Sequence, residues 1–139
     1  MKSKMMCGVA AFAVGLAAMQ AAAGDKFTAD LRTATVVCAD TNSVGSVTAA
    51  KELEKHLALV AGKRAPSPDG IVFAVGERPA GAPEPAVFES CGRVCGKRVS
   101  FWGEEAEHGL ERSQGPLFAV YEFIEKKLGV KWVAPGDDG

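Results

Sequence analysis

The chain has 139 residues and a formal net charge of −1, and hydrophobic residues make up 47% of it. This length allows about one small domain. The balanced charge excludes a dedicated nucleic-acid surface, because such a surface needs a basic patch to neutralise phosphates.

The first residues have the pattern of an export signal. Two lysines precede an apolar run from about Met5 to Met19, and a short alanine run ends at Ala23. The pattern predicts a signal peptide at 1–23, a mature chain at 24–139 and a secreted or periplasmic location. An uncleaved membrane anchor is the alternative, although the run is shorter than the about 20 residues of a spanning helix.

The mature chain is mildly acidic and contains three cysteines. It carries 14 Lys and Arg against 17 Asp and Glu, a net charge of −3. Cys38, Cys91 and Cys95 form an odd set, so at least one of them is unpaired within the mature chain. Cys91 and Cys95 straddle a predicted turn, and a disulfide between them or two free thiols are the alternatives.

Seven elements are predicted after the signal, in the order β-α-β-β-β-α-β. Strands are predicted at 35–39, 71–75, 87–91, 98–102 and 130–133, and helices at about 46–61 and 116–128. Ser46 or Thr48 is expected to cap the first helix, and Gly62 to end it. Together the elements predict an α+β fold with a single mixed sheet of about five strands and two helices packed on one face.

The second helix has the strongest signals. Pro116 suits a first helical position and Gly129 a left-handed stop, with Val130 folding back on Ile124. The apolar residues at helical spacing are Leu117, Val120, Tyr121, Ile124 and Leu128. Tyr121, Ile124 and Leu128 are therefore expected to be buried, and Glu122 and Lys126 to face water.

Three segments in this order carry a family resemblance. They are A-A-K-E-L-E-K-H-L before Gly62, I-V-F-A-V-G at 71–76, and G-P-L-F-A-V-Y-E-F-I-E-K-K-L-G-V-K-W-V-A-P-G at 115–136. The chain from about Thr35 to Gly136 resembles the amino-terminal domain that precedes the TIM barrel in alpha-glucuronidases, in beta-hexosaminidase-like glycoside hydrolases and in related secreted proteins of unknown function.

The resemblance implies a sheet with two helices on one face and a role without catalytic carboxylates. Trp132, Pro135 and Gly136 match the place where such a domain leads into the barrel, so the resemblance implies a fragment or truncation without its catalytic domain. The family usually has an Arg-Gly pair at the start of the second helix, whereas Gln114 precedes Gly115 here. A ligand-binding role of that arginine is not carried over.

Acidic residues and histidines are the first candidates for chemistry. Glycoside hydrolysis needs two facing carboxyl groups, and the available ones are Glu104, Glu105, Glu107, Glu111, Asp137 and Asp138. Their clustering in one loop and at the chain end favours solvated surface acids. His108 and Glu111 form an H-x-x-E spacing without the further ligands of a zinc site, and His56 lies at the edge of a helical apolar face. No metal, cofactor or catalytic residue is therefore predicted.

Two further patterns have competing interpretations. Gly76-Glu-Arg-Pro79 follows a strand, but it lacks the lysine and second glycine of a phosphate-binding loop. Trp102 and Trp132 could contact a glycan or an adjacent domain, although aromatic residues in strands more often belong to the core.

The resulting function hypothesis is a non-catalytic accessory domain of an exported carbohydrate-processing protein. Its partner would be an adjacent TIM barrel, and the parent protein a glycoside hydrolase that acts on polysaccharide. The alternative is a free-standing module that binds glycans or another partner. A small hydrolase in its own right is a third hypothesis, and membrane contact is expected only if the signal segment is uncleaved.

Overall fold

A computed structural model describes residues 7–13, 18–21 and 29–131, the first two ranges by their backbone alone. In chain order the elements are β1 (Cys7–Ala13), β2 (Ala18–Ala21), β3 (Thr35–Cys38), α1 (Val44–Ala61), β4 (Val72–Val75), β5 (Ser90–Cys95), β6 (Arg98–Gly103), β7 (Glu107–His108), β8 (Glu111–Arg112) and α2 (Gly115–Lys127). A 3₁₀ turn, Leu31–Thr33, precedes β3. The fold is α+β, as predicted.

The sheet is mixed and has the strand order β2-β1-β5-β6-β4-β3. Strands β3, β4 and β6 run parallel, and β5 pairs antiparallel with β6. Strands β1 and β2 extend the sheet beyond β5 by antiparallel pairing. These two strands lie inside the predicted signal peptide, whose cleavage stays a prediction. The remaining strands, β7 and β8, form a separate hairpin between β6 and α2.

Both helices cover one face of the four strands β3 to β6, and the core lies between the two layers. Alternate residues of β4 and β6 point to the helices, since strand side chains have a period of two. Phe73 and Phe101 meet Phe123 of α2, with ring centroids 5.2 and 5.5 Å from its ring. The other fully enclosed core side chains include Leu53, Leu57, Val75, Val120 and Ile124.

The helix ends follow the predicted chemistry, with one correction. Ser43 caps α1, because its hydroxyl accepts the Ser46 amide at 2.9 Å; the predicted caps Ser46 and Thr48 lie inside the helix. Gly62 ends α1 with a φ of 81°. At the end of α2, Gly129 has a φ of 74° and the Val130 amide donates to the Ile124 carbonyl at 3.3 Å, as expected for this stop.

The predicted orientation of α2 is confirmed only in part. Ile124 is fully buried and Lys126 is exposed, while Tyr121 and Leu128 are half-buried. Glu122 was expected in water, but its side chain is only 10% exposed, and it pairs with Lys126 one turn along the helix. Residues 132 onward lie outside the described residues, and with them most of the predicted last strand, Trp132, Pro135, Gly136, Asp137 and Asp138.

The first half of the predicted hairpin is shifted. Val87 and Phe88 form a turn, and β5 begins only at Ser90. Phe88 has a φ of 60°, which breaks an extended strand, and its amide donates to a carboxylate oxygen of Glu104 at 3.0 Å. The strand therefore starts three residues later than its β-branched and aromatic residues predict.

This shift decides between the two alternatives for Cys91 and Cys95, and it contradicts a disulfide between them. Cys91 and Cys95 both lie on β5, so their Cα atoms are about 13 Å apart at the usual strand rise. A disulfide requires Cα atoms within about 7 Å. Cys38 and Cys91 are free thiols. Burial, followed by the nearby Glu89 carboxylate, raises the pKa of Cys91 to about 11, so this thiol is protonated and unreactive at neutral pH.

Candidate functional site

The topology brings several polar segments to one end of the sheet. The parallel strands β3, β4 and β6 all finish there, and both helices begin there. In open sheets with parallel strands, ligands bind in the crevice beyond the carboxyl ends of the strands. We call this part of the molecule the carboxyl end.

A cavity of about 190 Å³ opens at the carboxyl end. Its chemically active lining residues are Asp40, Ser46, Arg78, Glu84, Trp102 and Glu105. Asp40 follows β3, Ser46 lies in the first turn of α1, and Trp102 is near the end of β6. We call this space the carboxyl-end cavity.

The loop after β6 is tied to the start of α1. Both carboxylate oxygens of Glu105 accept from the Ser43 hydroxyl, at 2.5 and 2.7 Å. Gly45 leaves room for this carboxylate, because a Cβ atom there would collide with it. A carboxylate at a helix N-terminus is stabilised by the helix dipole. Glu105 is therefore a structural partner of α1, and it also forms part of the cavity wall.

Glu104 is the centre of a second set of contacts in the same loop. Its carboxylate accepts the Phe88 amide and lies 2.6 Å from Nε2 of His108, and its carbonyl accepts from the Ser113 hydroxyl and the Gly115 amide. Hydrogen bonds from Ser113, from the Phe88 amide and from His108 hold the pKa of Glu104 below its ordinary value. A glycosidase acid needs a raised pKa, so this environment does not suit that role.

Replacement of Glu104 by glutamine is expected to reduce the loss of unfolding free energy that the wild type shows as the pH falls into the acidic range. Because its pKa is lower in the folded chain, the ionised carboxylate stabilises the fold above its ordinary pKa of 4.5, and this stability is lost as the pH falls through the folded pKa. Urea unfolding at neutral and acidic pH measures the difference. Glu107→Gln, on the exposed β7–β8 hairpin, is the control, and its unfolding free energy should depend on pH as that of the wild type does. Equal slopes for Glu104→Gln and wild type would contradict the assignment.

The other candidates from the sequence are separated or engaged elsewhere. Glu107 and Glu111 are exposed on β7 and β8, where His108 is opposite Glu111 but contacts Glu104 instead. His56 is 4% exposed, and its Nδ1 lies 2.8 Å from the Glu52 carbonyl. Within residues 29–131, no group of three or more His, Cys, Asp or Glu side chains could hold a metal ion.

The segment after β4 is held by ion pairs. The carboxylate of Glu77 accepts from the Arg98 guanidinium at 2.7 Å and from the Ser100 hydroxyl at 2.8 Å. The hydrogen bond from Arg98 is the main reason why the pKa of Glu77 is lowered. Arg78 pairs with Glu84 at 2.7 Å. An acidic side chain thus follows Gly76, which does not fit a phosphate-binding loop.

Trp102 is enclosed and does not form an open stacking surface. Its side chain is 6% exposed, and the Arg93 guanidinium carbon lies 5.9 Å from the centre of its ring. Its Nε1 atom is buried without a hydrogen-bond partner in the described part of the chain, as is Oγ of Ser46. Neither Ser46 nor Arg78 was singled out as a ligand-facing residue from the sequence, although the general position of ligands at the ends of parallel strands could have indicated both.

Comparison with known proteins finds no family model, no curated protein and no solved structure that matches the chain. The fold is an α+β domain with two helices on a mixed sheet. In the described residues, neither helix is both long and apolar enough to span a bilayer.

Proposed function

We propose that this chain is a non-catalytic accessory domain of an exported carbohydrate-processing protein, and that it packs against a TIM barrel. The α+β architecture, with both helices on one face of the sheet, supports the proposal because it is the architecture that the family resemblance implies. The lowered pKa of Glu104 and the ion-paired Glu77 agree with a role that uses no catalytic acid.

The observation that carries the proposal is the distribution of exposed apolar side chains. Eight large hydrophobic residues are exposed in the described part of the chain, and five belong to segments at the carboxyl end. These five are Val44, Val87, Phe88, Leu110 and Phe118. They come from the starts of α1 and α2, the turn before β5 and the tip of the β7–β8 hairpin. Exposed apolar side chains are a common feature of interaction surfaces, and because these five belong to segments at one end of the sheet, a neighbouring domain is the occupant that we propose there.

A two-chain binding experiment tests this surface. If the gene encodes a barrel-sized segment of about 250 residues downstream of Gly139, that segment is expressed separately and titrated with this chain by calorimetry. Leu110→Ser and Phe118→Ser are expected to weaken the association, since each removes apolar area from the contact. Leu110 is fully exposed and Phe118 is 48% exposed, so the substitutions should leave the fold intact.

Leu59→Ser is the matched control. Leu59 is 71% exposed near the other end of α1, away from the proposed surface. The proposal predicts no change in affinity for this variant. An intact gene without a downstream barrel, or an equal loss of affinity for Leu59→Ser, would refute the proposed packing.

A further inference from the structure

The charges of residues 29–131 are divided between the two ends of the sheet. Segments at the carboxyl end hold seven acidic residues and two arginines, a net charge of −5. The acidic residues are Asp40, Glu84, Glu89, Glu104, Glu105, Glu107 and Glu111, and the arginines are Arg78 and Arg112. The five exposed apolar side chains described above belong to the same end. The carboxyl end is therefore an acidic surface that also presents apolar side chains.

The opposite end of the sheet has the reverse charge. We call it the amino end, and it comprises the 3₁₀ turn, the last turns of both helices, the loop before β4, the β5–β6 turn and residues 128–131. Nine basic residues lie there against six acidic ones, a net charge of +3, when Glu54 and Glu77 are counted with the arginines that they pair with. The basic residues are Arg32, Lys55, Lys63, Arg64, Lys97, Arg98, Lys126, Lys127 and Lys131, and the other acidic residues are Asp30, Asp69, Glu122 and Glu125.

The amino end also presents apolar side chains. Leu59 and Val60, in the last turn of α1, are 71% and 46% exposed. The loop before β4 is joined to the β5–β6 turn there, because Nζ of Lys97 donates to the Asp69 carbonyl at 2.8 Å. Of the eight exposed large hydrophobic side chains in the described part of the chain, seven thus lie at one end or the other. Both ends combine apolar side chains with charge, and the charges have opposite signs.

We propose that this chain self-associates head to tail, with the carboxyl end of one copy against the amino end of a second copy. Opposite charges on two surfaces favour their encounter and determine which surfaces meet. The same charges oppose contact between two carboxyl ends or two amino ends. A second copy is the occupant that these observations support, because both complementary surfaces belong to this one chain. An interface between different surfaces at opposite ends of a molecule does not close on itself, so it produces open rows of copies rather than a symmetric dimer.

This contact uses the surface that the proposed function assigns to a neighbouring domain, and it forms where no such domain covers that surface. Self-association is measured with this chain alone. A negative result therefore leaves the two-chain titration unaffected, and a negative titration leaves self-association unaffected.

Sedimentation velocity of the full chain over a range of protein concentrations provides the test. At about 10 mM salt the average mass should rise beyond that of a dimer, and at about 150 mM salt the association should weaken, because the Debye length falls from about 30 Å to about 8 Å. Association that does not depend on salt would contradict pairing by charge.

Two charge-reversed double variants give the decisive comparison. Glu107→Lys with Glu111→Lys leaves only the basic end intact, and Lys63→Glu with Lys131→Glu leaves only the acidic end intact; all four side chains are exposed. Each variant alone should self-associate at least about tenfold more weakly than the wild type. A 1:1 mixture should form dimers and nothing larger, because it contains one intact surface of each kind. Lys51→Glu, exposed in the middle of α1, is the control and should associate as the wild type does.

The mixture distinguishes head-to-tail pairing from a symmetric dimer. If the two variants keep the circular dichroism of the wild type and their mixture stays monomeric, the proposal is overturned, as it is by a wild type that stays monomeric at low salt. If a charge reversal disturbs the fold, Leu110→Ser and Leu59→Ser form a second pair, since each removes an exposed apolar side chain from one end. Their mixture should associate more tightly than either variant alone, and equal association of all three samples would overturn the head-to-tail contact.

Discussion

Replacement of Gly103 by alanine is expected to lower the free energy of unfolding by about 3 kcal/mol, the upper part of the usual range for overpacking. Gly103 ends β6 and lies directly against Gly115, the first residue of α2. A Cβ atom at position 103 would lie 2.5 Å from the Gly115 Cα atom and 2.6 Å from the Glu89 carbonyl oxygen. Both neighbours are backbone atoms, which cannot rotate away as a side chain could. The helix would have to move off the sheet.

Chemical unfolding followed by circular dichroism measures this effect. Gly129→Ala is the control, because Gly129 has a positive φ but no atoms within 4 Å of a Cβ there. The control should cost only about 1 kcal/mol, the strain of a left-handed alanine. Gly115→Ala should resemble Gly103→Ala, since its Cβ would collide with the Gly103 backbone. A Gly103 variant as stable as the control would show that this contact is not tight.

Replacement of Arg64 by methionine is expected to lower the free energy of unfolding by about 2 to 3 kcal/mol, the upper part of the range for hydrogen bonds to a charged group. The Arg64 side chain is 9% exposed and follows α1. Its guanidinium donates to the Glu54 carboxylate at 2.9 Å, to the Ala34 carbonyl at 2.7 Å and to the Leu31 carbonyl. It thereby fixes the segment before β3 against the end of α1. Methionine nearly preserves the volume but removes the guanidinium donors from these acceptors.

Two further substitutions separate geometry from charge. Arg64→Lys should recover only a small part of the loss, because an ammonium group cannot reproduce the planar set of donors. Arg32→Ala removes an arginine whose side chain is 63% exposed and paired with Asp30, and its effect should be too small to measure. The free energy of unfolding of all three variants is measured by chemical unfolding followed by circular dichroism. Full recovery by lysine would mean that charge alone, and not the guanidinium geometry, holds the segment.

The helices could be predicted from the sequence because their signals are local. The apolar spacing of α2 and the stops at Gly62 and Gly129 depend on residues within one or two turns. The start of β5 could not be predicted in the same way. Phenylalanine is common in strands, so the sequence predicts a strand at Phe88. In the structure the backbone of Phe88 is instead held in a turn by a hydrogen bond from its amide to Glu104, a residue 16 positions later.

The cavity also could not be predicted from local sequence patterns. Ser46, Arg78 and Trp102 are far apart in the chain, and only the parallel order of β3, β4 and β6 brings them together. The sequence could rank Trp102 as a glycan contact or a core residue, but it could not reveal that its indole nitrogen lacks a partner. The acidic loop after β6 is a second case that the sequence could not predict. Its pattern indicates solvated charges, whereas in the structure Glu104 and Glu105 fix the starts of two helices.

If the predicted signal peptide is cleaved, the position of β5 in the sheet would link that cleavage to self-association. In the described chain β5 lies between β1 and β6, so hydrogen bonds reach it from both sides. Cleavage after residue 23 would remove β1 and β2 and make β5 an edge strand with a row of unpaired amides and carbonyls. Such an edge is a template for pairing with another chain, and a charged residue on it opposes that pairing. Arg93, in the middle of β5, would then be the residue that protects the processed chain.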